Sequence, residues 1–363
     1  MRLTTNAILR LTPLTIRARL PARLQHAPCV FQSQRRSSCS PIAKMPRTAE
    51  TASFKFNHTM LRVRDPEASL KFYTEVLGMD LADKTVHETF TLYFLVFNYG
   101  NEVTDGTTRF GREGVLELTH NHGTESDPDF KGYASGNSEP GRGFGHIALA
   151  VDDVEKACER FERLGVKFQK RPSDGKMRHI AFILDPDGYW VEIKIRSETC
   201  VYGRMAVTRF NHTMVRVKDP QVSVKFYTEV LGMTLLSHYK FESFTLYFLA
   251  YDHSGGKMTP QALKDSRFAR EGVLELTHNH GTESDASFAG YASGNTDPGK
   301  GFGHIAITVP DVAAACARFE RLGVPFKKKL TDGSMKDIAF ILDPDGYWIE
   351  VVPPKLMLGP DDV

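Results

Sequence analysis

The chain has 363 residues, of which 41% are hydrophobic, and its 46 Lys and Arg against 44 Asp and Glu leave a formal charge of +2. Residues 1–49 contain nine basic side chains and no acidic one, so the rest carries 37 basic and 44 acidic groups, a charge of −7. This mildly acidic body argues against nucleic-acid binding, and no apolar run reaches the roughly 20 residues of a membrane-spanning helix, so we expect a soluble protein without nucleic-acid or membrane partners.

Residues 1–50 are predicted to form a basic leader. The segment 1–44 is rich in Arg, contains Ser, lacks acids and intersperses Leu and Ile among its first bases, which is typical of an amphipathic mitochondrial import peptide. A disordered basic tail is the alternative interpretation. Because Met45 stands just before the body, a second start there would give a cytosolic form, so we predict a cytoplasmic location, a mitochondrial location, or both.

The rest of the chain contains an internal repeat, which predicts two homologous domains, 51–200 and 201–363. Four motifs of the first copy return 154 or 158 residues later: NHTMLRVRDP (57–66) with a Leu-to-Val and an Arg-to-Lys change, GVLELTHNHG (114–123) and GFGH (143–146) unchanged, and DPDGYWVE (185–192) with one Val-to-Ile change. The four-residue difference in spacing falls in a segment rich in Gly, Asn, Asp and Ser. That composition indicates a surface loop, where insertions are tolerated.

A fainter repeat within each copy consists of a strand, a helix and several further strands. Asp65 and Asp153 open helical patterns that end at Gly78 and Gly165, as N-cap aspartates and C-terminal glycines do. Alternating segments follow, and a DPDG turn at 185–188 starts the last strand of the copy. The sequence therefore predicts an α+β fold of four βαβββ modules with helices on the outer face.

Strand alternation places one imidazole or carboxylate on the uncovered face of each of eight strands. These residues are His58, Glu117, His146 and Glu192 in the first copy and His212, Glu275, His304 and Glu350 in the second. Two imidazoles with two carboxylates suit a divalent cation such as Zn, Ni, Fe or Mn, and the small Ala148 and Ala150 near His146 indicate a concave cavity. Solvated polar residues on an exposed sheet face are the alternative, and spacing alone does not choose which four residues meet.

Other metal-binding residue types in the sequence are expected to lie outside these sites. His120, His122, His278 and His280 stand at strand ends without a second ligand pair nearby. The five cysteines lack CxxC spacing, and Cys158 and Cys316 fall within helical patterns, so both are predicted to be buried thiols.

The repeated motifs resemble the glyoxalase I (lactoylglutathione lyase) family of the vicinal-oxygen-chelate superfamily. The resemblance extends from about residue 54 to residue 354 in two copies, as in the fused two-domain form found in fungi. It implies paired modules that form two U-shaped mixed sheets, with each site combining the first module of one copy and the second module of the other. The implied metal ligands are His58, Glu117, His304 and Glu350 in one site and His146, Glu192, His212 and Glu275 in the other.

The resemblance also implies the chemistry of these sites. The reaction would be isomerisation of the methylglyoxal–glutathione hemithioacetal to S-D-lactoylglutathione through an enediolate, with glutathione as cosubstrate and one Zn²⁺ per site, or Ni²⁺ as the alternative. Glu192 and Glu350 would be the catalytic carboxylates, while Glu117 and Glu275 would assist with the opposite epimer. Since one chain supplies both halves of two sites, a monomer is expected.

Glutathione would be held by basic and amide side chains away from the metal. By resemblance these are Arg62, Asn121, Lys300 and Lys328 in one site and Arg216, Asn279, Arg142, Lys170 and Lys176 in the other. Arg142 and Lys176 correspond to Lys300 and Ser334 in the second copy, and Lys lacks the bidentate fork that Arg offers a carboxylate. We therefore predict two active but unequal sites, with tighter binding of the glutathione adduct at the site that contains Glu192.

Two other functions on the same scaffold remain to be weighed. An extradiol dioxygenase would use Fe(II) with three protein ligands, and a drug-sequestering protein would lack the metal residues. Four candidate ligands at each site favour the isomerase over both.

Overall fold

The computed structural model describes residues 48–98, 109–175, 177–196, 208–333 and 335–355, all of which lie in one compact unit. The predicted leader up to residue 47 lies outside the described residues. None of the described helices combines the length and apolar character that crossing a bilayer requires.

Among the described residues, each copy contains two modules of one helix and four strands, and the second copy shows one additional helix. The first copy contains β1 (Lys55–Val63), α1 (Pro66–Lys71), β2 (Asp80–Val86), β3 (Phe90–Val96), β4 (Val115–Asn121), β5 (Phe144–Val151), α2 (Val154–Arg163), β6 (Phe168–Lys170), β7 (Ile180–Leu184) and β8 (Trp190–Ile195). The second contains β9 (Arg209–Val217), α3 (Pro220–Lys225), β10 (Thr234–Lys240), β11 (Phe244–Ala250), α4 (Pro260–Ser266), β12 (Val273–Asn279), β13 (Phe302–Thr308), α5 (Val312–Arg321), β14 (Phe326–Lys328), β15 (Ala339–Leu342) and β16 (Trp348–Val352).

The strands form two mixed eight-stranded sheets, and each sheet uses strands from both copies. One sheet has the order β14-β15-β16-β13-β1-β4-β3-β2, and the other has the order β10-β11-β12-β9-β5-β8-β7-β6. Where the copies meet, β1 pairs antiparallel with β13, and β5 pairs antiparallel with β9. The predicted α+β fold of four modules in two mixed sheets is confirmed.

The helices begin where the sequence predicts, but the first one changes character. The Asp65 carboxylate accepts hydrogen bonds from the backbone N–H groups of Glu67 and Ala68 and so caps α1. A π-helical turn, Phe72–Val76, follows α1, and its counterpart Phe226–Val230 follows α3. A π-helical turn contains one residue more than an α-helical turn, and the sequence did not predict it. The turn accompanies the burial of two consecutive aromatic residues, Phe72 and Tyr73.

One face of each sheet is covered by apolar packing, and the opposite face carries the polar residues of interest. Leu61, Val63, Leu116 and Leu118 on the covered face are all fully buried and belong to the main core. The segment between β11 and β12, predicted as a surface loop, contains the additional helix α4, and its Leu263 packs into a separate cluster on the other face. The corresponding residues 99–108 of the first copy lie outside the described residues.

Candidate metal centres

Eight strands bring the eight predicted side chains together in two groups of four, each drawn from both copies. Site A consists of His58 on β1, Glu117 on β4, His304 on β13 and Glu350 on β16; site B consists of His212 on β9, Glu275 on β12, His146 on β5 and Glu192 on β8. Within each group one ligand atom per residue lies within 4.8 Å of the others, and all eight residues are buried. Pairing within a single copy does not occur in either site.

In site A, the ring nitrogen of His58 is the centre of the group. Its Nε2 atom lies 3.1 Å from Glu117 Oε2, 3.2 Å from Glu350 Oε2 and 3.1 Å from His304 Nε2. The Thr119 hydroxyl donates to the other Glu117 oxygen, Oε1, at 3.1 Å, so that Oε2 faces the imidazoles.

Site B has nearly the same dimensions. His212 Nε2 lies 3.1 Å from Glu275 Oε2, 3.2 Å from Glu192 Oε2 and 3.2 Å from His146 Nε2. The Thr277 hydroxyl donates to Glu275 Oε1 at 3.3 Å. The ligand atoms of the two sites are therefore arranged in the same way.

The tautomer of His58 is fixed by its neighbour in a way that suits a metal ligand. The Asn57 amide nitrogen donates to the backbone carbonyls of Arg109 and Arg112, which turns its oxygen towards His58 Nδ1 at 2.7 Å. The Nδ1–H group of His58 therefore donates to Asn57, and the lone pair of Nε2 points into the site. Asn211 orients His212 in the same manner, with a distance of 2.8 Å to Nδ1.

The chemistry of the donor set fits a divalent cation. Glu192 Oε2 is buried and makes no hydrogen bond to the described residues; the His212 and His146 ring nitrogens lie 3.2 and 3.6 Å from it, and the Lys194 ammonium, at 3.6 Å, balances only part of the charge of the two site B carboxylates. Leaving a buried carboxylate oxygen unpaired costs free energy unless a cation balances it. Two carboxylate oxygens and two imidazole nitrogens supply the four ligands that Zn²⁺ commonly takes in proteins.

The imidazoles and carboxylates of site A shift one another's pKa values. Burial lowers the pKa of His58, but hydrogen bonds and charge from Glu117 and Glu350 outweigh this and raise it to about 9. Burial acts to raise the pKa of Glu350, but His304 and His58 hold it well below its usual range. A metal ion would therefore compete with a proton for Nε2 of His58.

The sites differ in the residue that lies two positions after the last carboxylate. At site A this is Val352, which is fully buried in an apolar cluster with Phe94, Phe110 and Ile338. At site B it is Lys194, which is 6% exposed, and its Nζ lies 3.6 Å from Glu192 Oε2 and 3.5 Å from the ring centroid of Phe268.

A buried arginine above each site has different partners in the two copies. Arg109, near site A, forms an ion pair with Asp83 and donates to the Thr85 hydroxyl. Arg267, near site B, donates instead to the hydroxyl groups of Ser237 and Tyr239. We define the wall of site A as Arg109, Asp83 and Val352, and the wall of site B as the equivalent Arg267, Ser237 and Lys194. By formal charge, the wall of site B is more positive than that of site A by two unit charges.

The predicted glutathione residues on the inner strands lie along the same face as the ligands. Arg62 is half-buried and donates to the backbone carbonyl of Phe302 and to the side chain of Asn295. Asn121 donates to the Tyr133 hydroxyl at 2.7 Å. Arg216 and Asn279 form the corresponding contacts near site B, with Phe144 and Asn137 and with Tyr291 respectively.

The remaining predicted glutathione residues differ in exposure and in what the structure describes. Arg142 is exposed, and its charge, together with the larger effect of burial, lowers the pKa of Arg216. Lys300 is half-buried, while Lys170 and Lys328 each donate to three backbone carbonyls of the following turn. Lys176 lies outside the described residues.

His120, His278, Cys158 and Cys316 lie where the sequence predicts them. His120 and His278 pair with Glu125 and Glu283, and neither belongs to a metal-binding group among the described residues. Cys158 and Cys316 are buried free thiols, and burial raises the pKa of each to about 11.

The sequence predicts unequal sites from Arg142 and Lys300, but it assigned no role to Lys194. Alternation places Lys194 on the same face as Glu192, and this signal was sufficient to locate it. Its contact with Phe268, 74 positions away, could not be read from local pattern. Tyr133 and Tyr291 lie in irregular segments where no periodicity indicates which way a side chain points.

Comparisons of the sequence and of the structure with known proteins point to one family. A family model described as the Glyoxalase/Bleomycin resistance protein/Dioxygenase superfamily matches residues 55–193 and 209–351. The chain is 51% identical to a lactoylglutathione lyase of Schizosaccharomyces pombe, over 86% of this chain and all of that protein. It is 46% identical to a glyoxalase I of Saccharomyces cerevisiae, over 86% of this chain and 97% of that protein. The crystal structure of glyoxalase I from Zea mays superposes with a TM-score of 0.60 at 28% identity, covering 83% of this chain and 93% of that one.

Proposed function

The chain belongs to the glyoxalase I (lactoylglutathione lyase) family, and we propose that it isomerises the hemithioacetal of methylglyoxal and glutathione to S-D-lactoylglutathione at two unequal sites. The observation that carries this proposal is the pair of buried groups, each with two imidazoles and two carboxylates and each built from both copies. The proposed repeating units are residues 51–200 and 201–363, so neither unit would contain a complete site.

We propose that each site holds one Zn²⁺, with Ni²⁺ as the alternative. His58, Glu117, His304 and Glu350 would hold the ion of site A, and the four residues of site B would hold the other. When bound, a divalent cation supplies Lewis acidity that stabilises negative charge developing on the two oxygens of the substrate.

The proposed proton carriers are Glu350 in site A and Glu192 in site B. Lys194 and the imidazoles of site B outweigh the effect of burial and hold the pKa of Glu192 well below its usual range, so its carboxylate is ionised at neutral pH. An ionised carboxylate can accept the proton from the carbon that bears sulfur and return it to the neighbouring carbon, while the hydroxyl proton passes from the first oxygen to the second. The two transfers together complete the isomerisation without loss of any atom. Glu117 and Glu275 would be metal ligands that assist with the opposite epimer.

Glutathione is proposed to lie along the strands beyond the carboxylates. Arg62 and Asn121, with Lys300 and Lys328, would hold it at site A. Arg216, Asn279, Arg142, Lys170 and Lys176 would hold it at site B. The proximity of Arg142 to Arg216 supports tighter binding at site B, because two guanidinium groups close together form a strong carboxylate site.

Thioester formation tests the proposal. Metal-replete protein mixed with methylglyoxal and glutathione is expected to give the ultraviolet absorbance of a thioester, and chelation of the metal is expected to abolish it. No thioester from metal-replete protein would contradict the proposed function.

The alternative functions are not favoured. A dioxygenase with three ligands leaves one of four buried donors unexplained, and a binding protein without metal residues leaves all of them unexplained. Oxygen consumption with a catechol would be the observation that revives the first.

We propose that the chain is a monomer, since each site is completed within one chain, and light scattering tests this. We also propose mitochondrial import by residues 1–44, with a cytoplasmic form starting at Met45. A reporter fused to residues 1–44 that stayed in the cytosol would contradict import.

A further inference from the structure

The wall of site B contains a cation that the proposed reaction does not require. Lys194 occupies the place of Val352, and its Nζ lies 3.6 Å from Glu192 Oε2 while the side chain is almost fully buried. Burying a lysine is costly unless its charge has a use or a partner, and the same reaction at site A is carried out beside a valine.

The strand register places Lys194 on the side of the ligands that faces away from the proposed glutathione residues. Ala148 on β5 pairs with both Glu192 and His212, which marks the level of the ligands. Two residues further along β5, Ala150 pairs with Lys194, whereas Arg216 lies beyond the opposite end, where Phe144 pairs with Val215. If the glutathione part of a hemithioacetal lies near Arg216, the side chain contributed by the 2-oxoaldehyde extends towards Lys194.

The apolar surroundings of that substituent also differ between the sites. At site A, Val352, Phe94, Phe110 and Ile338 form a continuous apolar cluster. At site B a corresponding apolar cluster contains Phe248, Leu263 and Val273. It differs in that the Lys194 ammonium lies over Phe268 beside it, and Arg267 has hydroxyl groups where Arg109 has the Asp83 carboxylate. An anionic substituent would be matched by charge at site B and would be left unpaired at site A.

We propose that site B selects hemithioacetals of 2-oxoaldehydes whose side chain ends in an anionic group, that site A selects those with an apolar side chain, and that Lys194 is the residue that determines the difference. The proposal rests on the proposed function for the identity of the reaction. It requires no change in chemistry, because the same proton moves between the same two carbons in both sites.

Binding of two glutathione conjugates tests the proposal without turnover. S-(3-carboxypropyl)glutathione and S-butylglutathione have side chains of equal length that differ in a terminal carboxylate or methyl group. Calorimetry on zinc-loaded protein measures the affinity of each ligand in the tighter of its two binding steps. Lys194→Met is expected to lower this affinity about tenfold or more for the carboxylate ligand and to leave it undiminished for the butyl ligand. Lys194→Arg is expected to retain the carboxylate preference.

The matched control is Val352→Met, which places the same side chain at the equivalent position of site A. This variant is expected to leave the affinity of the carboxylate ligand in its tighter binding step unchanged. Equal weakening of both ligands by Lys194→Met, or equal effects of Lys194→Met and Val352→Met, would overturn the proposal, because Lys194 would then serve only to balance Glu192.

Turnover by single-site variants gives the second test. Glu350→Gln leaves site B as the working site, and Glu192→Gln leaves site A. The two substrates are propylglyoxal and its analogue in which a carboxylate replaces the terminal methyl group. The ratio of kcat/KM for the analogue to that for propylglyoxal is expected to be about tenfold higher in the Glu350→Gln protein than in the Glu192→Gln protein. Equal ratios would overturn the selectivity. Failure of both variants to form a thioester from methylglyoxal would instead contradict the proposed function, and the calorimetry would still decide the role of Lys194.

Discussion

The two metal centres agree in their ligands and differ in their walls. In both, an asparagine orients the central histidine, a threonine orients one glutamate, and the ring nitrogens and carboxylate oxygens lie at nearly equal distances. At site A, Arg109 pairs with Asp83 and Val352 lies beside the last carboxylate, whereas at site B Arg267 donates to hydroxyl groups and the Lys194 ammonium lies 3.6 Å from the ligand Glu192. Duplication has thus retained what the ligand set needs, while the residues that meet the substrate have diverged.

The largest expected effect removes both sites at once. The double variant Glu192→Gln with Glu350→Gln is expected to lose about a thousandfold or more in thioester formation, because each site would lose the carboxylate that carries the proton. The rate is measured by ultraviolet absorbance, with circular dichroism as the control for folding. More than a few per cent of the original rate in the folded double variant would show that at least one of the two glutamates is not the base.

Metal titration sharpens the comparison between the sites. Zinc is expected to bind site A more tightly than site B, by about tenfold, because the Lys194 ammonium lies 3.6 Å from a ligand oxygen of site B. Calorimetric titration of metal-free protein is expected to resolve two steps. Lys194→Met is expected to bring the steps together, and two unequal steps that persist in this variant would place the cause elsewhere.

Exchanging the bases that differ between the copies is expected to have a smaller effect. Arg142→Lys is expected to raise KM at site B roughly threefold to tenfold, since a bidentate contact with a carboxylate is lost. Lys300→Arg is expected to lower KM at site A. Each substitution is measured in the protein whose other site has been silenced, and an unchanged KM in both would show that these positions do not contact glutathione.

The smallest effect concerns the pH dependence of the metal-free protein. Because the folded pKa of His58, about 9, lies above its ordinary value of 6.5, its protonation contributes stability that is complete below pH 6.5 and is lost as the pH rises through 9. The free energy of unfolding should therefore fall over this range by up to about 3 kcal/mol. Denaturant unfolding is the measurement, and His58→Gln is the control, which is expected to flatten the slope. Equal slopes in the two proteins would contradict the assignment.

Much of the fold and of the ligand set could be predicted from sequence because both depend on local pattern. Alternation assigns each of the eight ligands to the uncovered face of a strand, and the aspartate and glycine signals at 65 and 78 mark the ends of the helical segment. The choice of partners between copies could not be predicted in this way. The motifs of the two copies are nearly identical, so only the long-range pairings of β1 with β13 and of β5 with β9 decide which four ligands meet.

Other features depended on contacts that no local pattern contains. The helix α4 begins at a Thr-Pro cap within a segment whose Gly and Ser content indicates a loop, and the burial of Leu263 stabilises it. Asp83 and Ser237 lie on exposed-looking strands, and their importance follows only from the arginines that fold over them.

The most direct test of the two-site account is the KM for the methylglyoxal hemithioacetal in the two single-site proteins. The account predicts that both Glu350→Gln and Glu192→Gln remain active and that Glu350→Gln, which retains site B with Arg142, has the lower KM, by roughly threefold to tenfold. Equal loss of activity with equal KM in the two variants would contradict it.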